Sequence, residues 1–266
     1  MIIAIDVGNT NIVIGCIDGG EISRVFRMST DIAKTADEYA ADMNAILLEF
    51  HGVKRDMITG AVISCVVPPL TGVLKGAVRL LTGANAIVVG AGVKTGMNIL
   101  IDDPAQLGGD MVATAVGALA LYSPPMIIVD MGTATKMYVL DKNGGFIGGA
   151  ILTGVMLSMT ALAAGTSQLP RVPIDAPLKC ISANTIDCMK SGAVYGAASM
   201  IDGMTERFEE ELGQRAQIIV TGGHAEAIYR HCKRDVTHDP HLILHGLKVI
   251  YEKNAHTPSA RSLGQK

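Results

Sequence analysis

The chain writes one phrase twice. Ile2-Ile3-Ala4-Ile5-Asp6-Val7-Gly8-Asn9-Thr10 is an apolar run that ends in Asp, then Gly, then small polar residues. Met126-Ile127-Ile128-Val129-Asp130-Met131-Gly132-Thr133-Ala134-Thr135 repeats the design. Asp6 and Asp130 stand 124 positions apart, as do Gly8 and Gly132. Each phrase then resumes a β-rich run, Ile12 to Ile17 and Met137 to Leu140. One fixed offset of that length predicts two copies of a domain, and two facing copies would leave a cleft. The chemistry of the phrase is anion handling. Glycine lets backbone N–H groups approach a phosphate, and a buried strand holds its terminal Asp where it can bind Mg²⁺ or orient water.

The remaining pattern along the chain supports two copies. Residues 2–7, 11–17 and 21–28 read as three strands, with Gly19-Gly20 a tight turn. Thr35-Ala36-Asp37-Glu38 is a capping box, followed by Tyr39, Met43, Ile46 and Leu47 at helical spacing and by Gly52 as the stop. Ala61 to Val67 is a buried-type strand cut by Pro68-Pro69. A helix to about Thr82 and a strand at Ala86 to Val89 come next. Asp103-Pro104 predicts the start of an Ala-rich helix that runs to Leu121. The second copy follows as strands 126–130, 134–140 and 146–151, with the turn Lys142-Asn143-Gly144-Gly145 and a helix from about 154. After a Pro-broken loop (Pro170, Pro173, Pro177), Asn184 to Leu212 reads as a long helix. Ile218 to Val220 reads as a strand that enters Thr221-Gly222-Gly223 and then another helix, and Leu242 to Glu252 as the closing helix. The expected division is a lobe over 1–122, a lobe over 123–254, and a polar tail over 255–266 that reads as a frayed end. The fold class is α/β, built of two similar lobes.

Composition excludes several alternatives. Hydrophobic residues make up 49% and glycine numbers 30, which suits a compact α/β protein with tight strand–helix turns. A formal charge of −3 argues against a nucleic-acid surface. Phosphate ligands would therefore need backbone N–H groups and a cation. No basic and apolar leader precedes the first strand, so a signal peptide is not expected. The apolar stretches, such as Met111 to Tyr122, are short and rich in Gly and Ala, so no membrane span is expected. Cys16, Cys65, Cys180, Cys188 and Cys232 form no CxxC pair and are odd in number, which predicts reduced, mostly buried thiols in a cytoplasmic protein. His238, His241 and His245 could be drawn as a metal site, but Pro240 interrupts the first pair and no further ligand completes a tetrahedral set.

With these motifs in place, the chain resembles the actin, hexokinase and Hsp70-like (ASKHA) ATPases, and within them the type III pantothenate kinases. Asp6-Val7-Gly8-Asn9-Thr10-Asn11 is similar to the family's phosphate loop. Ser64-Cys65-Val66-Val67-Pro68-Pro69 resembles its Ser-x-Val-Val-Pro turn, and Lys94-Thr95-Gly96-Met97-Asn98-Ile99 its Thr-Gly-x-x-Ile segment. Leu107-Gly108-Gly109-Asp110 resembles the Gly-x-Asp-Arg motif, and Asp130 to Thr135 matches Asp-x-Gly-Thr-Ala-Thr. Gly148-Gly149-Ala150-Ile151, Leu169-Pro170, Asn184-Thr185 with Ser191-Gly192, and Thr221-Gly222-Gly223 complete a series that extends to about residue 254. The resemblance implies two ribonuclease H-like lobes with a nucleotide cleft between them. It also implies ATP-dependent phosphorylation of pantothenate in coenzyme A biosynthesis, Mg²⁺, and a monovalent cation (K⁺ or NH₄⁺). Four positions depart from the family pattern: Met111 stands for Arg, Ile101 for Tyr, Lys136 for Thr or Ser, and Thr153 for Pro. The family's Arg and Tyr both contact pantothenate, so the departures bear on the acceptor more than on ATP. A kinase for another small hydroxy compound, or a nucleotide-sensing homodimer without turnover, therefore stays open.

The resemblance implies the following roles. Asp6 would position Mg²⁺ or its water shell, and the run Val7, Gly8, Asn9, Thr10, Asn11, Ile12 and Val13 would contact the nucleotide phosphates. The alternative for that loop is an ordinary hairpin turn. Asp110 would be the general base for the acceptor hydroxyl, with Gly108 and Gly109 admitting the substrate; the alternative is an acidic residue on a helix dipole. Ile101, Met111 and Thr185 would line the acceptor site, Thr185 alternatively being a helix N-cap. Asp130 would hold the monovalent cation, Thr133 would contact ATP, and Thr221, Gly222 and Gly223 would cover its adenine–ribose side. The Lys136 ammonium would stand in for the monovalent ion or for the missing Arg charge, or would be a solvated strand end. Gly192 and Gly196, one helical turn apart with Ala193, Ala197 and Met200 nearby, mark either a homodimer surface or close packing within the protomer.

Overall fold

The structure is a computed structural model that describes residues 1–50, 52–177 and 179–255. Along the chain run β1 (Ile2–Val7), β2 (Asn11–Asp18), β3 (Glu21–Ser29), α1 (Ala36–Asn44), β4 (Gly60–Cys65), α2 (Pro68–Thr82), β5 (Ala86–Val88) and α3 (Gly109–Leu121). Then come β6 (Met126–Met131), β7 (Ala134–Leu140), β8 (Phe146–Thr153), α4 (Val155–Ala164), α5 (Thr185–Leu212), β9 (Gln217–Thr221), β10 (Val236–His238) and α6 (Leu242–Ala255). Two five-stranded sheets result, in the orders β3-β2-β1-β4-β5 and β8-β7-β6-β9-β10. In each, three antiparallel strands form a meander and two parallel strands follow. The repeated phrase is thus a repeated topology, with Asp6 near the end of one central strand and Asp130 near the end of the other.

The contacts divide the chain into two compact units. The first comprises Met1–Gly96, Asp103–Leu121 and the chain from Leu242; the second comprises Met97–Asp102 and Tyr122–His241. The sequence placed its boundary at 122/123 and left α6 with the second lobe; α6 instead packs on β1, β4 and α3 of the first unit. Glycine makes this possible. A Cβ on Gly246 would lie 1.7 Å from the Ala113 carbonyl oxygen, and one on Gly117 would lie 2.1 Å from that of Leu242. The two helices therefore meet backbone to backbone, a distance only glycine permits.

In the first unit the central strand, between antiparallel β2 and parallel β4, is buried on both faces because helices cover both sides of it. Ile3, Ile5 and Val7 pack with Tyr39 and Met43 of α1 and with Leu70 and Leu74 of α2. The opposite face meets α6, where Gly15 and Gly60 leave room for Leu244 and Tyr251. The capping box is formed as expected. Thr35 accepts from the Glu38 N–H, and the Glu38 carboxylate accepts from the Thr35 N–H at 2.8 Å. That carboxylate is held below its usual range by the hydrogen bonds from Thr35, the backbone N–H foremost. In the second unit Ile127, Val129 and Met131 pack against Val194, Ala198 and Ile201 of α5.

Several expectations need correction. The α-helix expected from Asp103-Pro104 begins only at Gly109; Pro104–Gln106 is a single 3-10 turn, capped by Asp103 through the Ala105 N–H at 3.1 Å. The helix expected after Gly223 is two short 3-10 turns, Ala225–Ala227 and Tyr229–His231, and β10 was missed because three residues carry no alternation. Burial of the thiols holds for Cys16, partly for Cys65 and Cys232, and fails for Cys180 and Cys188, which are exposed around the start of α5. Burial pushes the Cys16 thiol up to about 11. Apart from Ala255, which ends α6, the expected tail lies outside the described residues.

Candidate active site

In the first unit the residues expected to contact phosphate form the β1–β2 turn. Gly8 N–H donates to the Asn11 carbonyl at 3.0 Å, and a Cβ on Gly8 would lie 3.0 Å from that same oxygen, tighter than an ordinary contact. Asn9, Thr10 and Asn11 are exposed at the tip, and Asp6 is half-buried beneath them. Val7 and Ile12 were expected to touch the nucleotide; their side chains are fully buried in the core, so only their backbone is available to a ligand. Val13 is half-buried opposite Asp6.

The sequence reading missed Thr30. Its hydroxyl donates to the Gly8 carbonyl at 2.7 Å, and its N–H donates to the Thr10 carbonyl at 3.0 Å. One residue after β3 thereby pins both sides of the loop. The available signal was its place just past Ser29, which pairs with Asn11. Replacing Thr30 by Val keeps the shape and removes the hydroxyl bond, worth about 1 kcal/mol. If this turn holds ATP as the resemblance implies, the expected result is a rise of roughly threefold to tenfold in KM for ATP, with KM for the acceptor unchanged, measured by steady-state ADP release.

Asp110 occupies the first turn of α3. Its carboxylate accepts the Met111 N–H at 2.8 Å, and its carbonyl accepts the Thr114 hydroxyl at 2.8 Å. A Cβ on Gly108 would come 2.5 Å from the Asp110 Oδ1, so Gly108 is the space in which this carboxylate lies. Gly109 brings the helix start to within van der Waals reach of Val89, just beyond β5. Asp110 and Asp6 therefore share the carboxyl edge of the parallel strands, the edge where open α/β sheets bind ligands. Ser64 stands beside Asp6 in parallel register; it is fully buried, and its hydroxyl has no hydrogen-bond partner among the described residues. Met111 is half-buried next to Asp110 and supplies no charge.

In the second unit the Asp130 turn, the Thr221 loop and the start of α4 converge. Asp130 pairs in register with Thr221 across the parallel strands. Gly222, at φ +100°, would place a Cβ 2.6 Å from the Met131 nitrogen, and His224 N–H donates to the Met131 carbonyl at 3.1 Å. Burial depresses the His224 imidazole, favouring its neutral form. Gly154, the N-cap of α4, would place a Cβ 2.1 Å from the Thr133 carbonyl. The Thr221–Gly222 loop thus packs on the Asp130 strand, and the start of α4 packs on Thr133. Lys136 Nζ lies 2.7 Å from Asp130 Oδ2. Ile101 follows a short stretch in which Leu100 N–H donates to the Phe146 carbonyl at 2.8 Å. Thr185 is not the N-cap of α5. Asn184 is, accepting from the Asp187 N–H at 2.9 Å, and Thr185 is exposed in the first turn.

These arrangements fit a Mg²⁺-bound nucleotide. The donors at the first turn are hard oxygens, one carboxylate among hydroxyls and amides, which suits Mg²⁺ rather than a soft metal. Of the glycines in these turns, Gly223 has open space above it, where a ligand could approach the backbone.

Two five-stranded mixed sheets of one topology, each with an Asp-Gly turn near the carboxyl end of its central strand, define an ASKHA-type kinase fold. Solved structures agree at the level of the fold. A candidate 2-dehydro-3-deoxygalactonokinase from Sinorhizobium meliloti superposes with a TM-score of 0.60 at 12% identity over 100% of both chains. The ethanolamine utilization protein EutJ from Carboxydothermus hydrogenoformans gives 0.55 at 17% identity, covering 95% of this chain and 89% of that one. The activator of 2-hydroxyisocaproyl-CoA dehydratase from Clostridium difficile, with bound ADPNP, gives 0.53 at 14% identity, covering 100% and 98%. The particular family is set by sequence. The profile of the type III pantothenate kinases matches residues 2–207. The curated type III pantothenate kinase of Exiguobacterium sp. is 40% identical over 96% of this chain and 99% of its own. The chain belongs to the type III pantothenate kinase family.

Proposed function

We propose that this protein transfers the γ-phosphoryl group of ATP to the primary hydroxyl of pantothenate, giving 4′-phosphopantothenate, the first step of coenzyme A biosynthesis. The observation that carries the reading is membership of the family over nearly the whole chain, with Asp110 at a glycine-cleared helix start. Asp6 and the loop Gly8–Asn11 hold the phosphates; Mg²⁺, when bound, neutralises charge that develops on the transferring group. Asp110 accepts the hydroxyl proton of the acceptor as that oxygen attacks the γ-phosphorus. Thr133 and the Thr221–Gly223 loop hold the rest of the nucleotide. Ile101, Gly108, Gly109, Met111 and Thr185 contact the acceptor. A cytoplasmic location goes with this reading, because ATP and coenzyme A synthesis share that compartment.

One observation favours a second reading. A guanidinium fork is the natural partner of a small carboxylic acid, and Met111 replaces it with a thioether. An acceptor without the carboxylate, or a nucleotide-sensing role without turnover, would account for that change. ADP release measured with pantothenate, with a panel of small hydroxy compounds, and with no acceptor separates these readings. Pantothenate-dependent ADP is the expected result. ADP with another acceptor alone supports the related kinase, and none with any acceptor supports the sensor.

The active species is proposed to be a homodimer. Gly192 and Gly196 have open space above them, so they do not serve close packing within the protomer. They line a groove of about 640 Å³ between α4 and α5, together with Val155, Met159 and Met200. Met156, Leu157, Leu162 and Ile186 are exposed on these helices. A second copy covering this surface would bury apolar area that a lone protomer leaves in water.

A further inference from the structure

We infer that Lys136 makes this kinase independent of monovalent cations, because its ammonium occupies the carboxylate that a bound K⁺ or NH₄⁺ would need. The inference deepens the reading above and rests on it for the identity of the reaction.

The argument begins with register. β6 and β7 are antiparallel, and Asp130 stands directly opposite Lys136 across the hairpin. Side chains at opposed positions emerge on the same face of a sheet. The hairpin is held shut by the Gly132 N–H bond to the Ala134 carbonyl at 3.1 Å, and its flanking residues Val129, Met131 and Met137 are fully buried. The backbone therefore delivers Lys136 to Asp130 with little freedom. Nζ reaches Asp130 Oδ2 at 2.7 Å, and the two side chains are only 17% and 19% exposed. Such a pair is shorter, drier and better positioned than a surface ion pair.

The first unit supplies an internal comparison. Its equivalent hairpin sets Asp6 opposite Val13, so the cross-strand position that carries Lys136 in the second copy is apolar in the first. The two copies of the phrase thus share strand, turn and acid, and differ in the residue set across the hairpin from the acid. A lysine ammonium is chemically an NH₄⁺ ion tethered by four methylenes. Its charge neutralises Asp130 continuously, and a second cation brought to the same oxygens would be repelled by it. The residues present therefore do not fit a diffusible monovalent ion at Asp130. Among the readings the sequence left open for Lys136, the ion pair with Asp130 supports the tethered cation over a solvated strand end.

Two measurements test this. ADP release is compared in KCl and in choline chloride at equal ionic strength. The unmodified protein is expected to turn over at the same rate in both. Lys136→Thr is expected to lose activity in choline and to regain it in KCl, by roughly tenfold or more, the size of one charge-assisted contact. Lys136→Arg, which keeps a tethered charge, is expected to stay indifferent to K⁺. The second readout is thermal melting in the same two salts. KCl is expected to leave the unmodified protein unchanged and to raise the melting temperature of Lys136→Thr, because an ion that binds only the folded state stabilises it. Stimulation or specific stabilisation of the unmodified protein by K⁺ overturns the inference, even if no variant folds. So does a folded Lys136→Thr that responds to K⁺ in neither assay. Absence of turnover with pantothenate in every salt would count against the proposed reaction, while the melting comparison would still decide the role of Lys136.

Discussion

Asp110→Asn is expected to lower kcat by about 10²–10⁴-fold, the usual contribution of a positioned general base. The substitution removes the basicity and the negative charge of the carboxylate. Asparagine retains the side-chain oxygen that accepts the Met111 N–H, so the start of α3 keeps that bond. The space left by Gly108 also accommodates an amide of the same size. ATP affinity and melting temperature should therefore change little, and the loss should fall on kcat rather than on KM for ATP. Steady-state kinetics with pantothenate, paired with a melting curve, checks this. A kcat within about threefold of the unmodified protein would leave Asp110 as a helix-dipole acid and no more.

Met111→Arg should raise kcat/KM for pantothenate by roughly 10–100-fold, because one charged hydrogen bond to the acceptor carboxylate is worth about 1.5–3 kcal/mol. The opposing effect is smaller. A cation in the first turn of a helix costs about 0.3–1 kcal/mol against the dipole, and Asp110 beside it offsets part of that. Position 111 is half-buried, so the guanidinium can reach solvent or ligand without being fully desolvated. Competition between pantothenate and its alcohol analogue lacking the carboxylate separates the possibilities. Gain for pantothenate alone means that only affinity was lost at this position. Equal rates before and after mean that another cation already serves the carboxylate or that the acceptor has none.

Much of this site was legible before the fold was known, and for a physical reason. A buried strand, an acid and a glycine turn are specified within ten residues, so the hairpins at Asp6 and Asp130 and the capping box at Thr35 could be read from local chemistry. Their recurrence at one offset then exposed the repeated topology. Legibility failed where the determining contact was distant or weakly patterned. Thr30 holds the Gly8–Thr10 turn across 22 positions of sequence, and only its place beside the Asn11–Ser29 pair marks it for that task. Val7 and Ile12 sit inside the phrase expected to bind nucleotide, yet alternation along their strands turns their side chains into the core.

The sequence by itself determined what each short segment would become and which acids, glycines and hydroxyls end up at strand termini, because backbone sterics and side-chain periodicity act over a few residues. Only the tertiary structure decided which segments meet. It moved α6 onto the first unit through the Gly117 and Gly246 contacts, paired β10 beside β9, and set Lys136 on Asp130. Those outcomes depend on strand register and close approach between segments far apart in the chain, and a charge pair or a backbone contact takes effect only once packing has brought its two halves together.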